Sequence, residues 1–115
     1  MIRIFLFLLA LSGGFVLQAQ DVSPEMRAKF VKDQDAYLEK LQMGIDQNKL
    51  YKITTIKYDK MVMNVDRSTL SKKAKKKRIK SIEKAKNTEM RAILNDWQYK
   101  LYLVRQKEIK TGYRE

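Results

Sequence analysis

The chain has no cysteine, no histidine, a single proline and four glycines in 115 residues. Without cysteine there can be no disulfide, no thiol nucleophile and no lipid-modified cysteine. Without histidine the commonest general base and the usual zinc ligand are missing as well. The serines have neither a histidine partner nor a Gly-x-Ser-x-Gly elbow, and no glycine-rich phosphate loop occurs. The carboxylates are scattered: Asp33 and Asp35 fall on different faces of a helix, and Asp46, Asp59 and Asp66 stand apart. These absences argue against an enzyme, a metal site or an organic cofactor. The scarcity of proline and glycine permits long helices.

Positive charge is abundant. Twenty-five Lys and Arg face thirteen Asp and Glu, for a formal charge of +12. The excess is densest from Lys72 to Lys80, where seven of nine residues are cationic and no acid appears before Glu83. On a helix, Lys72/Lys76, Lys73/Lys77 and Lys76/Lys80 are like-charged neighbours, and their charge sits at the end where the dipole is already positive. Such local conflict is a mark of functional sites, so Lys72, Lys73, Lys76, Lys77, Arg78 and Lys80 are candidate binding residues. The plainer reading is a solvated helix end that aids solubility. The charge favours anionic partners: unfolded acidic chains, acidic lipid or polysaccharide, or nucleic acid.

Residues 1–20 have the form of a cleaved secretory signal. Arg3 gives the positive start, Ile4 to Leu11 is an unbroken apolar run, and Leu17-Gln18-Ala19 offers a cleavage site. The apolar run is shorter than the roughly 20 residues a spanning helix needs, and Gly13-Gly14 interrupts it, so no stable membrane insertion is expected. Export makes nucleic acid the least expected partner. Residues 21–115 then form one small domain.

Spacing places helices along that domain. Ser23-Pro24-Glu25 reads as a helix start, followed by Met26, Phe30, Tyr37 and Leu41, with Val31 and Leu38 beside them and Gly44 ending the helix. A second helix, about Ile45 to Val65, has a broad apolar face of Leu50, Tyr51, Ile53, Tyr58, Met61, Val62 and Val65. Its Ile53-Thr54-Thr55-Ile56 and Met61 to Val65 stretches have strand-like composition. A third helix starts after Ser71 and runs to about Leu94, with Ile79, Ile82, Met90 and Ile93 in helical spacing. A fourth, about Asp96 to Lys110, carries Trp97, Leu101, Val104 and Ile109, and Thr111 to Glu115 reads as a loose tail. The aromatic residues Tyr37, Tyr51, Tyr58, Trp97, Tyr99 and Tyr102 read mostly as core.

Two of these helix starts resemble each other. Met43 to Tyr51 and Leu94 to Tyr102 align at a separation of 51 residues, with Gln47 opposite Gln98 and Lys49-Leu50-Tyr51 opposite Lys100-Leu101-Tyr102. In the second copy Asn95 is the N-cap, Gln98 completes a capping box, and Leu94 with Tyr99 forms a hydrophobic staple. In the first copy Gly44 has no side-chain oxygen to cap with. The motif residues Met43, Gly44, Gln47, Leu94, Asn95 and Gln98 are therefore expected to set helix starts.

The paired pentapeptides resemble the LTXXQ pattern of the Spy/CpxP family, with Met43-Gly44 in place of Leu-Thr and Asn95 in place of Thr. The resemblance implies an all-α fold of about four antiparallel helices in a thin, hairpin-like layer, paired as a curved homodimer in the Gram-negative periplasm. It also implies an ATP-independent chaperone or holdase for unfolded or acidic client proteins. The alternative it carries is a regulatory adaptor that docks on the periplasmic domain of a membrane sensor protein in envelope-stress signalling. Some members of the wider family are metal-linked, but this chain lacks ligands that would carry that property over.

Overall fold

The computed structural model describes residues 23–113. The expected signal segment lies outside them. The described chain is four helices: α1 (Pro24–Leu41), α2 (Ile45–Asp66), α3 (Lys72–Ile93) and α4 (Asp96–Gly112). None is long and apolar enough to cross a membrane.

The helix starts follow the side-chain chemistry. The Ser23 hydroxyl accepts from the Met26 N–H at 3.2 Å, with Pro24 in the first turn. The Ser71 hydroxyl accepts from Ala74 N–H at 3.2 Å. The Asn95 side chain accepts from Gln98 N–H at 2.9 Å, and Gln98 Oε1 accepts from Asn95 N–H at 3.0 Å, completing the capping box. Gly44 starts α2 in an extended conformation with no side-chain cap. Gly44 does not end α1, however. That reversal falls to Gln42, in the left-handed region with φ 49° and ψ 46°, whose N–H reaches Glu39 C=O at 3.2 Å. A Cβ at Gly44 would meet nothing within 4 Å.

The strand-like stretch of α2 is helical because one stripe is buried against its neighbours. Tyr51, Thr54, Thr55, Tyr58 and Asp59 are buried at three- and four-residue spacing, and Val65 follows two turns after Tyr58. No basic residue lies in the last turn of α2. Lys75, from the start of α3, donates to Asp66 C=O at 2.7 Å and supplies the cation there. One lysine of the basic run therefore closes the α2–α3 turn.

Packing pairs α2 with α3, and α1 with α4. In the first pair Lys57 meets Glu89, and Val65 and Tyr58 cluster with Ile82. In the second, Phe30 meets Tyr113 and Ile109, and Gln34 meets Arg105. Residue numbers fall on one partner as they rise on the other, so both pairs are antiparallel. The 51-residue register persists beyond the motif. Tyr51, Thr54, Thr55 and Tyr58 correspond to Tyr102, Arg105, Gln106 and Ile109, and all eight are buried. The correspondence is confined to α2 and α4: at the same separation the buried Phe30, Gln34, Tyr37 and Leu41 of α1 fall on exposed residues of α3. Each antiparallel pair takes one helix from each half, α1–α2 and α3–α4, in a body of 38 × 30 × 21 Å. A central cluster of Tyr37, Leu41, Tyr51, Met90, Leu94 and Tyr102 joins the two pairs.

Three expectations change. Trp97 and Val104 are exposed, and the buried stripe of α4 is Tyr102, Arg105, Gln106 and Ile109. Leu50, Ile53 and Met61 are exposed on α2. Residues 111–113 are not a loose tail: α4 runs to Gly112, and Tyr113 is buried against Phe30.

Candidate functional site

The two glutamines of the repeat meet where the two halves of the chain join. Gln47 Nε2 donates to Gln98 Oε1 at 2.6 Å and to Ile93 C=O at 3.0 Å, the last carbonyl of α3. Gln98 Nε2 donates to Leu41 C=O at 2.7 Å, the last carbonyl of α1, and lies 3.4 Å from Gln47 Oε1. Each glutamine therefore sits in the first turn of one helix and satisfies the end of another, contributed by the opposite half of the chain. Above them the Tyr37 and Tyr51 hydroxyls share a hydrogen bond of 2.9 Å, and burial pushes the Tyr51 hydroxyl up to about 12. Met43 and Leu94 pack in this central cluster. The motif residues Met43, Gln47, Leu94, Asn95 and Gln98 come together as a structural lock.

The basic run lies apart from that lock, at the α2–α3 turn and along α3. Lys72, Lys73, Lys76, Lys77, Arg78 and Lys80 are all exposed. None of the six makes an ion pair among the described residues. Lys73, Lys77, Lys80 and Lys84 recur at helical spacing and continue the charge toward Arg91, which faces Asp96 at 3.9 Å.

Exposed aliphatic residues stand among further lysines. On α2, Ile45 is 81% exposed and Ile53 64%, with Leu50 and Ile56 beside them and Lys49, Lys57 and Lys60 interleaved. On α4, Val104 is 57% exposed and Trp97 46%, with Lys100 and Lys107 close by. The 51-residue register relates these faces too: Lys49 matches Lys100, and Ile53 matches Val104. Sequence reasoning assigned Trp97, Ile53 and Val104 to the core. For Ile53 and Val104 the available signal was a lysine four residues earlier on the same helix face, Lys49 and Lys100; Trp97 has no such neighbour.

Sequence reasoning also missed a cavity of about 240 Å³ between α2, α3 and α4. Tyr58, Val62, Ile79, Ile82 and Leu103 form its apolar wall, and Glu83, Lys107 and Lys110 stand at its rim. Asp59 and Lys86 lie at its base, each at least 96% buried. Burial raises the Asp59 carboxyl to about 7 despite the opposing charge of Lys86. Burial also lowers Lys86, against the pull of Asp59 and Glu83. Asp59 Oδ2, Thr55 Oγ1 and Gln106 Nε2 have no hydrogen-bond partner. Asp59, read from sequence as isolated, in fact faces a buried lysine. The described residues hold no cluster of three or more acidic side chains fit for a metal ion.

Comparison with known protein families, with curated proteins and with solved structures finds no match.

Proposed function

We propose that this protein is an exported, ATP-independent holdase for unfolded and acidic client proteins in the periplasm. One observation carries the reading: an exposed face of aliphatic residues interleaved with lysines occurs in both halves, as Lys49 with Ile53 and Lys100 with Val104. An unfolded chain offers apolar side chains and backbone in no fixed order. A surface that matches it needs several weak, interchangeable contacts. The charge supplies the first step, drawing acidic segments over about a Debye length, roughly 8 Å at physiological salt. The aliphatic residues supply the second, each contact being worth about 1 kcal/mol, loose enough for release without ATP. The resemblance to the Spy/CpxP family supports the same reading, and with it a homodimer that would present the face twice more.

The test is aggregation suppression. The chain from Gln20 onward is added to a client diluted out of denaturant, and light scattering is followed at low and high salt. Suppression near stoichiometric ratios, weaker at high salt, is expected. Scattering that follows the client-only curve at every ratio overturns the holdase reading.

A further inference from the structure

We propose that the cavity between α2, α3 and α4 binds the apolar chain of a small monoanionic amphiphile, its charged head held at the rim by Lys107. The cavity holds about 240 Å³, and at about 30 Å³ for each water-sized unit this is room for roughly eight non-hydrogen atoms. Its wall is made by Tyr58, Val62, Ile79, Ile82 and Leu103, which suits an alkyl chain or a phenyl ring rather than a sugar or nucleotide.

The charges around it decide the sign of the head group. Glu83 is paired with Lys110 at 2.7 Å, and Asp59 faces Lys86 at the base, so both acids at the cavity already have a cation. Lys107 is exposed and makes no ion pair among the described residues. The uncompensated charge at the mouth is therefore positive. A carboxylate there gains a counter-ion, whereas a quaternary ammonium meets repulsion. The unpartnered atoms Asp59 Oδ2 and Gln106 Nε2 show that polar groups at this end of the α2–α3 pair are not tied into the fold as those of the α1–α4 pair are.

An eight-carbon series tests the site. Protein purified after export of the full chain is titrated with octanoate, octanol and octyltrimethylammonium, followed by amide chemical shifts. Octanoate should bind at one site with shifts centred on Val62, Ile82 and Leu103, octanol more weakly, and octyltrimethylammonium weakest. Leu103→Trp, which fills the cavity from a residue 40% exposed, should abolish octanoate binding. Val62→Trp does the same from the opposite wall if the first variant loses helicity. Lys107→Gln should weaken octanoate roughly three- to fivefold and leave octanol unchanged. No saturable shifts with octanoate, equal binding of the ammonium, or binding indifferent to both tryptophans would overturn the proposal. Loss of this binding would leave the holdase reading intact, because aggregation suppression rests on the outer face.

Discussion

The two antiparallel pairs each take one helix from each half of the chain, yet they bury their charges differently. In the α1–α4 pair Arg105 is fully enclosed and its donors are used. Nε donates to Gln34 Oε1 at 2.7 Å, and the two terminal nitrogens donate to the Tyr113 hydroxyl at 2.7 Å and Phe30 C=O at 3.4 Å. Tyr113 in turn donates to Asp33 at 2.5 Å, and the guanidinium lies over the Phe30 and Tyr113 rings at 5.1 and 5.4 Å. In the α2–α3 pair Asp59 and Lys86 are just as deep, but Asp59 Oδ2 stays unpartnered and a cavity lies beside it. Arg105 also meets the exposed Glu108 carboxylate at 3.5 Å, so its planar fork of five donors combines neutral partners at fixed angles with an ion pair, whereas the charge nearest Asp59 is the single ammonium of Lys86. The first arrangement closes one end of the molecule. The second leaves a cavity at the other end.

The sharpest way to break this contrast is at Arg105. Arg105→Met would strip hydrogen bonds from Gln34 and Tyr113 and leave Asp33 with a weakened network. A loss of about 3–5 kcal/mol is expected by chemical denaturation. Arg105→Lys should recover only part of it, since an ammonium cannot reach Gln34, Tyr113 and the Phe30 carbonyl together. A Lys variant as stable as the parent would show that the fork geometry is unimportant.

The equivalent test at the other end should give a different pattern. Lys86→Met alone leaves a buried carboxylate without its cation, a cost of about 3 kcal/mol. The double variant Asp59→Leu with Lys86→Met should be close to neutral or more stable, because the unpartnered Asp59 oxygen disappears with the charges. The pair also sets a pH dependence. The folded Asp59 value, about 7, lies above its ordinary 3.8. The folded state therefore favours the neutral acid, and that stabilisation is fully present below the unfolded value and lost as pH rises through about 7. Thermal melts between pH 4 and 7 should show this decline in the parent and not in the double variant.

The glutamine lock sits between the pairs, and its two members are unequal. Gln98 is buried, completes a capping box and holds the end of α1, while Gln47 is half-buried and has no cap of its own to complete. Gln98→Ala should cost about 2 kcal/mol and Gln47→Ala about 1 kcal/mol. The double variant should cost less than their sum, because the 2.6 Å bond between them is lost in either single variant. Strict additivity would mean that the two halves are not coupled here.

How much of this was legible follows from the kind of signal each feature leaves. Caps are local chemistry, so Ser23, Ser71, Asn95 and Gln98 marked their helix starts from sequence alone. The 51-residue repeat pointed to two related starts, but not to their meeting, because contact between Gln47 and Gln98 depends on how helices cross. Periodicity misplaced Trp97, Val104 and Ile53, which are apolar and outside, and overlooked Arg105, Gln106 and Lys86, which are polar and inside. Burial of a polar residue is decided by partners far along the chain, as with Arg105 and Gln34, and leaves no hydropathy signal. The six candidate cations of the basic run are exposed, which suits a binding surface and a solvated helix end alike. Lys75 was the exception, because its role depends on the carbonyl of Asp66 at the end of the previous helix.

The smallest effect on stability is expected where the effect on function should be largest. Replacing Lys72, Lys73, Lys76 and Lys77 by Gln removes exposed charges that make no ion pair among the described residues. It also relieves like-charge crowding in the first turns of α3, where the helix dipole opposes cations. Stability should change by less than about 0.5 kcal/mol, with a small gain more expected than a loss. Lys75 must be kept, since its bond to Asp66 closes the turn. Under the holdase reading this variant should capture acidic clients more slowly at low salt and match the parent at high salt, where screening has already removed the steering. Capture kinetics that stay the same at every salt concentration would remove the basic run from the mechanism. The interleaved aliphatic faces of α2 and α4 would then have to act alone, and Ile53→Ser with Val104→Ser, one substitution in each half, would be the variants to compare.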